Sequence, residues 1–212
     1  MNRGLYLMGL IWLLVACRTA PAGAPPSAIL FSDSFTAGSI GPWLLESDEQ
    51  GQTIIADGRL VIALDSLNLV QYTALGDLNF SDFNLTIETS QTAGNPNSSY
   101  GLLWRMNGPN QFYRFEINSV GLYLVERRNS DGTIGDLSVG WQPASALLTG
   151  LNVTNRLRLE AIGSQMKFYV NDQLIYEIAD GTYQQGGIAL DAGTFGEGGL
   201  QVMFDNLVIA KP

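Results

Sequence analysis

Three observations predict an all-β fold, a two-sheet antiparallel sandwich or jelly roll. From Ile29 onward, short runs rich in Val, Ile, Thr and aromatic residues recur at intervals of about ten residues. Asp-Gly, Asn-Asp and Gly-Gly pairs punctuate them. The 3.6-residue apolar period of helices is almost absent. With 212 residues, 46% apolar and 15% charged, the chain has material for one well-cored domain behind an N-terminal extension.

The extension reads as an address. Residues 1–16 carry one basic residue, Arg3, and then an apolar run too short for a spanning helix, which is the pattern of a secretory signal peptide. Its end, Leu14-Val15-Ala16-Cys17, resembles the bacterial lipoprotein lipobox. That resemblance implies cleavage before Cys17, the only cysteine in the chain, and lipidation of its sulfur. More than one acyl chain is needed for stable anchoring. The expected location is therefore extracytoplasmic, lipid-anchored to a bacterial membrane without spanning it. Residues 17–28 continue as a small, proline-rich tether (RTAPAGAPPSA after the cysteine), and residues 29–212 form the domain.

Each expected strand has its own signal. ILFSDSFT (29–36) opens on an apolar run, and the turn signal Asp57-Gly58 lies between 53–56 and 59–64. A run follows at 68–75. In 82–91, Phe83, Leu85 and Ile87 alternate with polar residues, the mark of a strand buried on one face. Asn95-Pro96-Asn97 then turns the chain into the mostly apolar 99–106. Strands are expected at 111–118, at 122–128 and, past Asp131-Gly132, at 136–141. In 154–162, Leu157, Leu159 and Ala161 alternate with Arg156, Arg158 and Glu160. Asn171-Asp172, two residues that tolerate the positive φ of a type I′ turn, joins 165–170 to 173–178. Beyond Asp180-Gly181 and Gly198-Gly199 lie 186–192 and 200–210.

The segment FYRFEI-NSVG-LYLVER is read as a hairpin with a four-residue loop, pairing Ile117 with Leu122. This register sets Tyr113, Phe115, Ile117, Leu122 and Leu124 toward the core. Arg114, Glu116, Tyr123 and Arg127 then face outward, and Arg105 joins them because Leu102 and Trp104 form the better core pair on its strand. Sugar sites combine aromatic faces with planar polar side chains, so these five residues are the candidate ligand site, with Trp43 and Trp141 as secondary platforms. The alternative is a solvated face of cross-strand pairs.

Several landmarks occur in order: the DSF opening (Asp33 to Phe35) followed by Trp43, ADGRLVI, GLLWR with FYRFEI, NDQLIYEI, GGIAL and the closing FDNLVI. Together they resemble the concanavalin A-like lectin/glucanase superfamily, especially laminin G-like jelly rolls and 3-keto-disaccharide hydrolase-type domains. The resemblance implies two sheets, one concave, with first and last strands adjacent. It also implies structural calcium at Asp33 and Asp205 as an alternative to plain hydrogen-bonded aspartates. Otherwise no cofactor is called for.

Composition excludes several function classes. A net charge of −9 argues against nucleic acid, whose binding rests on clustered Lys and Arg. The absence of histidine removes Ser-His-Asp and Cys-His nucleophilic machinery. Glycoside hydrolysis needs paired carboxyl groups, and the Glu-x-Asp-x-x-Glu strand of the laminarinase-type relatives does not occur. Glu88 with Glu116 is the non-contiguous alternative pair. The expected function is a non-catalytic carbohydrate-binding or adhesion module, with a carboxylate-dependent hydrolase or a structural protein-interaction domain as the alternatives.

Overall fold

A computed structural model describes residues 27–212 together with Met1; the expected signal peptide, Cys17 and most of the expected tether lie outside these residues. The strands are β1 (Ile29–Asp33), β2 (Gly51–Ala56), β3 (Arg59–Leu64), β4 (Val70–Ala74), β5 (Phe83–Ala93), β6 (Ser99–Met106), β7 (Phe112–Asn118), β8 (Leu122–Arg128), β9 (Ile134–Asp136), β10 (Gln142–Pro143), β11 (Asn155–Ile162), β12 (Gln165–Val170), β13 (Gln173–Ala179), β14 (Gly187–Gly193) and β15 (Leu200–Ala210). They build an antiparallel two-sheet sandwich of the jelly-roll type, as the sequence predicts. The eight-stranded sheet runs β13-β12-β11-β5-β15-β3-β2 with β1 on β15; the seven-stranded sheet runs β10-β8-β7-β6-β14-β4 with β9 on β8. First and last strands pair, Asp33 opposite Leu207. The expected strand at 136–141 is replaced by the two short strands β9 and β10, because Ser138 breaks the ladder by turning its hydroxyl onto the backbone of Val125 and Gly140.

Alternation on each strand fills the space between the sheets. Leu85, Ile87, Leu157, Leu159, Phe168, Val202 and Phe204 come from one sheet; Leu102, Trp104, Tyr113, Phe115, Val125, Ile188 and Leu190 come from the other. Trp104 stacks on Tyr113 at 5.3 Å, and Phe168 packs edge-on against Phe115 at 5.1 Å. Asn171 and Asp172 adopt φ of 49° and 66°, as the expected type I′ hairpin requires.

The β7–β8 register corrects the sequence reading by one residue. Ile117 pairs with Tyr123, Phe115 with Val125 and Arg114 with Glu126. Five residues, 118–122, separate the paired Ile117 and Tyr123: Asn118 Oδ1 accepts from the Leu122 N–H at 2.9 Å, and Gly121 at φ 95° turns the chain. A one-residue slip sends every side chain on β8 to the opposite face. Tyr123 therefore enters the core, and Leu122 and Leu124 leave it.

A second irregularity moves Arg105. Gly187 pairs with Met106 and Ile188 with Trp104, so Arg105 is the extra residue of a bulge and takes φ of 50°. Its side chain is fully buried at the sandwich end, where Nη1 donates to the Tyr183 carbonyl at 3.0 Å and Nη2 to that of Ser81 at 3.1 Å. Arg105 is thus a clamp on the 180–186 loop. Tyr113 and Arg127 complete the clamp through Asp180, to which the Tyr113 hydroxyl donates at 2.6 Å. Burial and Asp180 together push the Tyr113 phenol up to about 12. Burial raises Asp180 too, but its hydrogen bonds from Tyr113 and Thr182 and the charge of Arg127 outweigh that and hold it low.

Candidate functional site

The residues of β7 that face away from the core are Phe112, Arg114 and Glu116. Pairing places two rows across this outer face of the seven-stranded sheet. One row runs Tyr72, Asp191, Gly101, Glu116 and Leu124 from β4 to β8; the next runs Ala74, Ala189, Leu103, Arg114 and Glu126. Leu103, Phe112 and Ala189 form an apolar cluster of their own, separate from the main core.

Arg114 is the centre of the face. Its Nη1 lies 3.1 Å from Glu126 Oε1 and its Nε 3.1 Å from Asp191 Oδ2. Glu116 shares the same pocket of charge and accepts from the Ser99 hydroxyl at 2.7 Å. Asp191 is wholly buried, and neither of its oxygens receives a hydrogen bond in good geometry. One arginine thus faces three carboxyl groups.

The electrostatics follow from that imbalance. Burial, and then the neighbouring Glu116, push Asp191 well above the ordinary carboxylate range; Arg114 offsets only part of this. Glu126 is raised chiefly by burial, against the pull of Arg114. Burial would lower Arg114, but the three carboxyl groups together raise it. Gly101 lies between Asp191 and Glu116 in their row.

Of the residues marked in the sequence, Arg114 and Glu116 belong to this face. Tyr123 is in the core beside Ile117; Arg127 reaches Asp180 and Thr182 at the end of the sandwich; Arg105 is the buried clamp. Trp43 is buried against Phe35, with Nε1 donating to Asp33 Oδ2 at 2.9 Å, so it is no exposed platform. Trp141 is half-buried between β9 and β10.

Glu88 and Glu116 do not form a pair. Glu88 stands on the outer face of the eight-stranded sheet, where it accepts from Asn206 Nδ2 at 3.0 Å and lines a cleft with Arg59 and Asp205. The whole core separates it from Glu116. Asp33 is buried and accepts from the N–H groups of Phe35, Gly41 and Trp43. Asp205 points outward toward Arg59 at 3.9 Å, so the two aspartates share no centre. Among the described residues, no group of three or more acidic or cysteine side chains is placed to hold a metal ion.

Sequence reasoning missed Asp191, Glu126 and Tyr72. Asp191 had a readable signal: a lone aspartate inside GIALDAG, where strands disfavour that residue. Glu126 needed the true register. Tyr72 needed the sheet order, since only the β14–β4 pairing brings it beside Asp191.

No protein-family model matches the chain, and no curated protein matches it in sequence. Solved structures do match its shape. A carbohydrate-binding module, CBM66, from Bacillus subtilis superposes with a TM-score of 0.66 at 16% identity, covering 81% of this chain and 96% of that one. The Bacillus licheniformis β-glucanase gives 0.64 at 10% identity, over 89% of this chain and 100% of the glucanase. A Bacillus subtilis protein of unknown function with a galectin-like fold gives 0.61 at 11%, over 87% and 96%. At these identities the likeness establishes the fold.

Proposed function

We propose that the outer face of the seven-stranded sheet binds a glycan and that the domain is a non-catalytic carbohydrate-binding or adhesion module. The observation that carries this reading is Arg114. Carboxyl groups on β8 and β14 hold its guanidinium in place, yet the side chain stays 17% exposed, and one of those carboxyl groups, Asp191, pairs across the sheet with Tyr72, whose ring is exposed. A fixed planar donor and an aromatic ring on one sheet face are the two elements that grip sugar hydroxyls and stack on a pyranose. The shared fold of a carbohydrate-binding module and a glucanase supports a carbohydrate ligand, although a fold by itself hosts many functions.

Glycan-array binding and retention on polysaccharide affinity gels test it. Arg114→Lys keeps the charge among the carboxyl groups but loses the planar fork, and Tyr72→Ala removes the ring. Each variant is expected to lose about tenfold in affinity. Wild-type retention in both would sink this site.

One observation favours a second reading, a carboxylate-dependent glycoside hydrolase of the 3-keto-disaccharide hydrolase type. Burial, and then the neighbouring Glu116, raise Asp191 well above the ordinary carboxylate range, and acid–base pairs are built from carboxyl groups whose affinities for protons are driven apart. Against it, Asp191 is sealed from solvent, out of reach of a glycosidic bond that the pair would have to flank. Release of reducing sugar by the wild type, abolished in Glu116→Gln, would put this reading first.

The address belongs to the same proposal. Cys17 carries the lipid that holds the domain at an extracytoplasmic membrane face, a reading supported by the Leu14-Val15-Ala16-Cys17 sequence. A Cys17→Ser chain is expected to lose metabolic labelling by a fatty-acid probe; labelling that persists refutes the lipobox.

A further inference from the structure

The outer face does not end at Tyr72. Val70, Tyr72 and Ala74 alternate along β4, the edge strand of the sheet, and the chain at 44–46 runs beside them as a wall. That wall is fixed. The Leu44 N–H donates to the Ala74 carbonyl at 3.1 Å, Thr73 Oγ1 donates to the Leu44 carbonyl at 2.9 Å, and Gln71 Nε2 reaches Thr53 Oγ1 at 2.8 Å. Between wall and strand lies a pocket of about 240 Å³, lined by Leu44, Glu46, Val70, Gln71, Tyr72 and Ala74. Sites that enclose a whole drug-sized ligand measure ~300–1,000 Å³, so this pocket suits one substituent of a larger ligand.

Its chemistry is unusual for a sheet edge. Edge strands are commonly guarded by charge, whereas Leu44, Val70 and Tyr72 here are 56%, 45% and 36% exposed. The charged group in the lining is the Glu46 carboxylate, which accepts hydrogen bonds and donates none.

We propose that this pocket is a subsite for the N-acyl group of an amino sugar, continuous with the Arg114 face. The proposal rests on the glycan reading above. An acetamido group brings a methyl for Leu44, Val70 and Ala74 and an N–H for the acceptor at the rim. A plain hydroxyl leaves the apolar walls unfilled. A free ammonium is desolvated against Leu44 and Val70, and a sugar carboxylate meets Glu46 as a like charge. Tyr72 belongs to both pocket and face, so a ring stacked on it places its substituent toward β4 and its hydroxyls toward Arg114.

Calorimetric titration of the full chain with three oligomers of one β-1,4 linkage tests it: N-acetylglucosamine, its deacetylated form, and glucose. The acetylated oligomer is expected to bind about tenfold tighter than the other two, from one buried methyl and one hydrogen bond. Val70→Trp, which fills the pocket from an exposed position, is expected to erase that preference. Equal affinities in the wild type, tighter binding of the deacetylated oligomer, or a preference that survives Val70→Trp each overturn the subsite and leave the glycan reading standing. Binding of no glycan on an array overturns both.

Discussion

Replacing Arg114 by leucine is expected to cost about 3–5 kcal/mol of stability near neutral pH, the loss seen when a buried charge cluster is stripped of its one compensating partner. In the folded chain Arg114 stands 3.1 Å from both Glu126 and Asp191, with Glu116 alongside. Without it, three carboxyl groups face one another in a largely dry pocket, and the fold survives by keeping protons that the unfolded chain releases. A carboxyl group raised by folding binds more protons in the native state, so stability falls as pH climbs from the unfolded value toward the folded one. The deficit should therefore shrink at pH 5 and widen toward pH 8. This window lies above the range of Asp180, whose lowered value gives stability that is lost only as pH falls through it. Asp191→Asn removes the most strongly raised group, so in that background the same Arg114→Leu change should cost less, with a double-mutant coupling of about 1–3 kcal/mol. Urea unfolding of the four proteins at pH 5 and pH 8 measures both effects. A loss that is equal at the two pH values and additive between the sites would show that Arg114 is not the counter-charge of this cluster.

How far the sequence could lead is visible in the same residues. The long central strands were legible because they are buried on at least one face, so that Phe83, Leu85 and Ile87, or Leu157, Leu159 and Ala161, write their period into the chain. Arg114 and Glu116 were legible as outward residues because β7 carries Tyr113, Phe115 and Ile117 between them. Their neighbours were not. The side-chain hydrogen bond by which Asn118 closes the β7–β8 loop decides the register, and apolar alternation on β8 is ambiguous because Leu122, Leu124, Tyr123 and Val125 would fit either face. Arg105 left its face through a bulge, a local event with no periodic signature. Asp191 meets Glu116 across 75 residues of chain and an intervening strand, and such a contact exists only once sheet order is known.

Gly101→Ala is expected to be among the most damaging single-methyl changes in the domain, costing about 3 kcal/mol or more, at or beyond the upper end of overpacking losses. A Cβ on Gly101 would stand 2.0 Å from the Phe115 carbonyl oxygen and 2.9 Å from Glu116 Cα. Both obstacles are backbone of the paired strand, so no rotamer change can relieve them and the β6–β7 ladder itself must part. Conformational strain is not the cause, since Gly101 is not among the glycines with positive φ. Gly132→Ala supplies the contrast: φ there is 84°, nothing lies within 4 Å of the added atom, and the expected cost is about 1 kcal/mol from backbone strain alone. Urea midpoints of the two variants separate close approach from φ. If Gly101→Ala were no worse than Gly132→Ala, the pairing of Gly101 with Glu116 would be wrong, and with it the row that joins Asp191 to Glu116.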